Sequence, residues 1–214
     1  MKKIIVSLLL ILINSVSFAQ NTQYETAMKG LLQKLSDANT PEAYTATANG
    51  FERIAMNEKG EWLPRYYAAF SLVMQAFSNT DKSNNDVILD KADKLLDEAI
   101  ALSPKNDELF CLYSLSKSAR ISVSPMTRGM KYGPEASEFL KKAKEINPHN
   151  PRIYYLEGQS KYHTPAMFGG SKEKAKELYE KSLEEFKTFK PTNELMPNWG
   201  IEMVTKMLDS YNKK

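Results

Sequence analysis

Nine residues, in two short stretches and just ahead of the second, are the ones best suited to touch something outside the chain. Met126, Arg128, Met130 and Tyr132 bring two flexible thioethers, a cation and a phenol together within seven positions. His163 precedes the second stretch, Met167-Phe168-Gly169-Gly170, which Thr164 and Pro165 enter stiffly and the two glycines leave flexibly. Thioethers and aromatic rings fill irregular apolar contacts, so these residues suit adaptable binding rather than bond-making. Two arrangements follow. Either the stretches fold back as plugs onto the rest of the protein, or they face a partner. In both, His163 stands where it could hydrogen-bond across to the first stretch.

Catalytic groupings are not evident. His149 and His163 are the only histidines and fall in different turns, without the paired His or Cys spacing of a metal site. Gly169-Gly170 lacks the Lys-Ser/Thr pair that completes a phosphate loop, and no serine sits in a nucleophile elbow. Acidic pairs such as Glu184-Glu185 lie on charged helix surfaces, where solvation accounts for them. The sequence therefore predicts no enzyme, no metal and no cofactor. Cys111, the single cysteine, lies between Phe110 and Leu112 and reads as a small core thiol.

The elements that must position those stretches come after an address. Lys2 and Lys3, the apolar run from Ile4 to Ile13, and small residues at Ser17 and Ala19 make the three-part pattern of a secretory signal. Cleavage is expected after Ala19, giving a 1–19 signal and a single 20–214 domain. The apolar run is too short to span a bilayer, and the mature chain is not expected to insert into one. The signal resembles those of bacterial export, which places the protein in a periplasm. Without the signal the chain has 27 basic and 26 acidic side chains. That near-balance provides no basic face for a nucleic acid.

From Asn21 onward the pattern is helical. Apolar positions 24, 27, 28, 31, 32 and 35 form one helix face. Thr40-Pro41 caps and starts the next helix, which runs to about Asn57. An aromatic-rich helix spans Trp62 to Phe77, with Trp62, Tyr66, Tyr67, Phe70 and Phe77 as core candidates. Further helices are expected over 87–102, 107–122, 134–146, 151–162, 171–187 with Ser171 as cap, and 198–211. Polar or Pro/Gly-containing loops separate them at 78–86, 123–133 and 163–170.

Within these helices one spacing recurs. Ala92, Leu96, Ala99 and Pro104 reappear 44 positions later as Ala136, Leu140, Ala143 and Pro148. Small-large-small on one helix stripe lets a neighbour approach closely, and the proline ends the helix. Ala175, Tyr179 and Ser182 make a third copy, with the proline displaced to Pro191, and Thr47, Phe51 and Ile54 a weaker fourth. Tyr154 with Gly158, and Phe110 with Ser114, supply large and small positions on preceding helices. On these residues the chain resembles the tetratricopeptide-repeat family over most of 41–191.

The resemblance implies an all-α, right-handed superhelix of about four helical hairpins closed by a C-terminal capping helix. Spacings of 44 and 39 residues exceed the family unit of about 34. The excess falls in the three loops inside hairpins, which should emerge along one edge. Trp199, Met203, Met207 and Leu208 mark the last helix as the default cap, the alternative being an apolar strip offered to a second copy.

Strong repeat chemistry without a catalytic grouping points first to a non-catalytic periplasmic scaffold. Its groove or loop edge would hold a protein or peptide partner in the cell envelope. The alternative is a small-ligand-binding accessory of an envelope transport system. That reading predicts an enclosed pocket near Arg128, Tyr132, His163 and Phe168.

Overall fold

The structure, a computed structural model, describes residues 22–212. The expected signal segment, with its cleavage point after Ala19, lies outside the described residues. What is described is all-α, with no strand among those residues. Helix α1 covers 22–37, followed by α2 (Pro41–Asn57), α3 (Leu63–Ser78), α4 (Asn85–Leu102) and α5 (Asp107–Val123). After these come α6 (Pro125–Ile146), α7 (Pro151–His163), a 3-10 turn (Ala166–Phe168), α8 (Lys172–Thr188) and α9 (Ile201–Asn212).

Short polar side chains fix where the helices start. Thr40 Oγ1 accepts from the Ala43 amide at 3.2 Å, with Pro41 at the first helical position. Asn106, Asn150 and Ser171 do the same for α5, α7 and α8. Each such cap satisfies an amide that the helix leaves unbonded, at ~1 kcal/mol.

The repeated spacing marks the residues that pack. Ala92, Leu96, Ala99, Ala136, Leu140, Ala143, Ala175, Tyr179 and Ser182 are all buried, as are Thr47 and Phe51. The small partner on the first helix matters as much. A Cβ added at Gly158 would stand 2.6 Å from the Tyr179 ring, so α7 and α8 pack this closely only because position 158 has no side chain. In the α5–α6 hairpin the register is antiparallel: Asn147 bonds Asp107 at 3.0 Å, Phe139 stacks on Tyr113, and Glu135 pairs with Lys117 at 3.6 Å. One apolar cluster spans α1 to α5 and another α5 to α9; Leu115 and Trp199 pack against both. Cys111 is buried, and burial pushes its thiol pKa up, which leaves it protonated and inert.

Two expected boundaries differ. Residues 123–133 were expected as a loop, but Ser124 alone turns the chain and α6 begins at Pro125. Proline at the first helical position loses no bond, and the Ser124 carbonyl accepts from both Thr127 and Arg128 amides. Pro134, which suggested a helix start, lies inside α6 instead. Its missing donor and ring cost a helix interior ~3 kcal/mol, an expense borne by the contacts described below. At the C-terminus, residues 190–200 stay non-helical and α9 starts at Ile201 rather than near Asn198.

Candidate functional site: an apolar loop edge and a covered groove

Because successive helices alternate in direction, the junctions inside the α3–α4, α5–α6 and α7–α8 hairpins fall on one edge. Lys82 Nζ donating to the Ser122 carbonyl at 2.8 Å joins the first two of these junctions directly. This edge holds an unusual number of large apolar side chains in solvent. Met126 is 78% exposed, Met130 82%, Met167 83% and Phe168 57%. Phe77 and Val87, flanking the α3–α4 junction, are exposed as well. Methionine and phenylalanine left in water cost free energy that burial under a ligand or partner would recover. The plug arrangement is therefore not the one adopted: neither Met167 nor Phe168 packs back onto the stack.

Local backbone chemistry presents the third junction. Gly169 has φ of +86°, a left-handed conformation that ends the 3-10 turn. At Gly170 an added Cβ would fall 1.8 Å from the Thr164 carbonyl oxygen. These two glycines fold the chain back on itself so that Met167 and Phe168 project outward. Lys161 Nζ reinforces the loop by donating to the Gly169 carbonyl at 3.1 Å.

The remaining predicted residues have local partners. Arg128 donates through both terminal nitrogens to Asp86, at 2.7 and 2.8 Å, and these bonds hold the Asp86 carboxyl below the usual carboxylate range. Tyr132 is half-buried with the Arg120 guanidinium 5.9 Å from its ring centre. His163 pairs its Nε2 with Gln159 Oε1 at 3.1 Å, one turn back in its own helix, where a bond to the α5–α6 junction was expected. Depressions occur elsewhere, on the outer face of α9 at Ile201, Thr205 and Asp209, and between α5 and α6 at Lys117, Pro134 and Phe139. With Phe168 in solvent and Arg128 bound to Asp86, the residues expected to enclose a pocket lie along an open edge instead. Arg128 and Tyr132 are drawn into packing against α4 and α5, while Phe168 turns outward. Among the described residues no cluster of His, Cys, Asp and Glu could hold a metal ion.

A second face contrasts with this edge. The first helices of the hairpins line the side where a hairpin stack offers its groove, and there the chain lays down its own residues 193–199. Tyr67 Oη donates to the Leu195 carbonyl at 2.7 Å, Arg152 to the Pro197 carbonyl at 2.7 Å, and Trp199 Nε1 to Tyr66 Oη at 2.7 Å. The Trp199 ring packs against Phe70, Tyr155 and the Arg152 guanidinium. Beneath this strap Arg152 is fully buried and donates to Glu108 Oε1 at 2.9 Å, which Asn150 also meets at 2.8 Å. Burial pushes the Glu108 carboxyl up to about 7, against the attraction of Arg152. The sequence reading missed this group and assigned Trp199 to capping by default, or to an apolar strip for a second copy. The available signal was an arginine at position 152, on the α7 face that also carries Ile153, Tyr155 and Leu156.

A search of protein-family models and of curated proteins gives no match. Among solved structures, the HusA haemophore from Porphyromonas gingivalis is 36% identical in sequence, with a TM-score of 0.79. The match covers 86% of this chain and 90% of that one. The chain belongs to the HusA family. That coverage means the likeness to HusA takes in the helical stack as a whole rather than a single hairpin. The tetratricopeptide-repeat resemblance rests on the motif spacing in the sequence.

Proposed function

We propose that this protein is an exported, non-catalytic carrier that binds haem or a similar flat, largely apolar ligand on the loop edge and serves an envelope transport system. The observation that carries the reading is the row of exposed methionines and Phe168 on a chain related to a haemophore. A flat macrocycle can lie against thioether and aromatic side chains without an enclosed pocket, burying both surfaces. Basic groups near the same edge, Lys131 and Lys161 among them, suit the carboxylates of such a ligand. No described helix is long and apolar enough to cross a membrane.

The peptide-scaffold reading has less support, because the groove, one of the two surfaces it could use, is covered by residues 193–199. In the proposed reading the tetratricopeptide-like hairpins serve as a rigid frame for the junctions at its edge, and the envelope partner is a receiver of the ligand. Titration of the purified protein with haemin, followed by Soret absorbance, tests the proposal. Saturable one-site binding that Phe168→Asp weakens about tenfold is expected. A linear, non-saturating response would overturn it.

A further inference from the structure

Gly129, Gly133 and Pro134 lie in α6 ahead of its buried stripe of Ala136, Leu140 and Ala143. An added Cβ at Gly129 or Gly133 would meet nothing within 4 Å, and neither glycine has a positive φ. Close packing and left-handed backbone are therefore both absent as reasons for glycine here. What the two residues share is a lowering of helix stability, and Pro134 adds to it by deleting the bond to the Met130 carbonyl and crowding that group. None of residues 125–133 is buried, whereas the rest of α6 supplies all of its buried positions. The first nine residues of this helix are thus weakly tied both to the core and to the helix that follows them.

External contacts hold them instead. Arg128 makes its two-pronged contact with Asp86, in the first turn of α4, and Tyr132 lies beside Arg120. Arg120 itself is anchored to Asp90 at 2.7 Å and Asp93 at 3.0 Å, so it is a fixed surface for the tyrosine ring. Met130 rides between these two contacts and Met126 lies two residues ahead of Arg128, both facing solvent.

We infer that residues 125–133 form an arm hinged at Gly133-Pro134 that carries half of the ligand edge, and that Asp86, acting through Arg128, is the positioning residue that sets where Met126 and Met130 stand. The cargo in this inference rests on the haemin reading above; the hinge does not. A paired guanidinium and carboxylate fix direction as well as distance, so the contact holds the arm in one orientation. When it parts, the arm, still joined to α5 through Ser124, is free to shift about Ser124 and Gly133-Pro134, and the two thioethers move off the ligand together. Ligand exchange would follow that opening rather than a rearrangement of the stack.

Amide hydrogen exchange on the full chain, paired with haemin titration of the same samples, tests this. The informative amides are 129–133, which lie past the unbonded first turn of α6. In the unaltered protein they should exchange at least about tenfold faster than amides 136–146. Asp86→Asn should accelerate them further, leave α7 and α8 unchanged, and weaken haemin binding about fivefold. Removing that negative charge would by itself favour an anionic ligand, so weakened binding reads the position of the arm and not the charge. Asp86→Glu, which keeps the carboxylate, should restore both readouts to within about twofold. Equal exchange on the two sides of Pro134, or no acceleration in Asp86→Asn, overturns the hinge. An arm loosened in Asp86→Asn with haemin held as tightly overturns the positioning role. Failure of the unaltered protein to bind haemin removes the ligand reading and that role with it, while exchange still decides the hinge.

Discussion

The groove face and the loop edge treat burial in opposite ways. At the groove face the chain buries a charged pair, Glu108 and Arg152, and ties it to Asn150 and the carbonyl of Pro197 under Trp199, leaving only Glu108 Oε2 and Arg152 Nε of the pair without a hydrogen-bond partner. At the loop edge it leaves Met126, Met130, Met167 and Phe168 in water. Bringing charge inside is costly unless every partner is in place, and keeping apolar groups outside is costly unless something covers them. The first face has found most of its partners within the chain. The second has not, and that is the physical reason to look for the ligand there.

The contrast can be broken most forcefully from the groove side. Arg152→Ala removes one half of a buried pair and strands Glu108, so stability should fall by ~3–5 kcal/mol, lowering the melting temperature by about 10 °C. A loss below about 1 kcal/mol in urea unfolding would mean that the pair is better solvated than its burial indicates. Next in size is Trp199→Ala, which deletes the contacts with Phe70 and Tyr155 and the bond to Tyr66. It should cost ~2–4 kcal/mol, with haemin affinity unchanged. Strong loss of affinity in this variant would move the ligand onto the groove face.

A smaller effect comes from pH. Burial pushes the Glu108 carboxyl from its ordinary value of 4.5 up to about 7, so the folded state holds this proton more tightly than the unfolded chain. Its contribution to stability is complete below about 4.5 and is lost as pH rises through about 7, by roughly 1–3 kcal/mol. Unfolding free energies measured between pH 5 and 8 should show this decline, and Glu108→Gln should flatten it. The same slope in both proteins would assign the pH dependence to other groups.

Much of the frame was legible because its determinants are local. Thr40-Pro41 and Ser171 announce helix starts through their own side chains, and the small-large-small stripe names buried residues such as Leu96 and Ala143. The candidate stretches were legible too, since Met167 and Phe168 in a connecting segment are conspicuous in any context. Three other features depend on contacts made at long range. Pro134 and Gly133 read as a helix boundary, and only the tie from Arg128 to Asp86, 42 positions away, shows why the helix runs through them. Arg152 reads as one basic residue among many until Glu108 and Pro197 are seen around it. The open edge in place of an enclosed pocket follows from where Arg128 and Tyr132 are drawn, which no spacing encodes.

On the edge itself, stability should barely respond. The four side chains are exposed, so replacing Met126, Met130, Met167 and Phe168 by serine should change unfolding free energy by no more than ~0.5 kcal/mol per site. That near-silence makes the quadruple variant the sharpest probe of where the ligand binds. Its haemin dissociation constant, measured beside its melting temperature, tests the account most directly. The account predicts a protein that melts within a few degrees of the unaltered chain and binds haemin at least tenfold more weakly. Unchanged haemin affinity in the folded quadruple variant would contradict it.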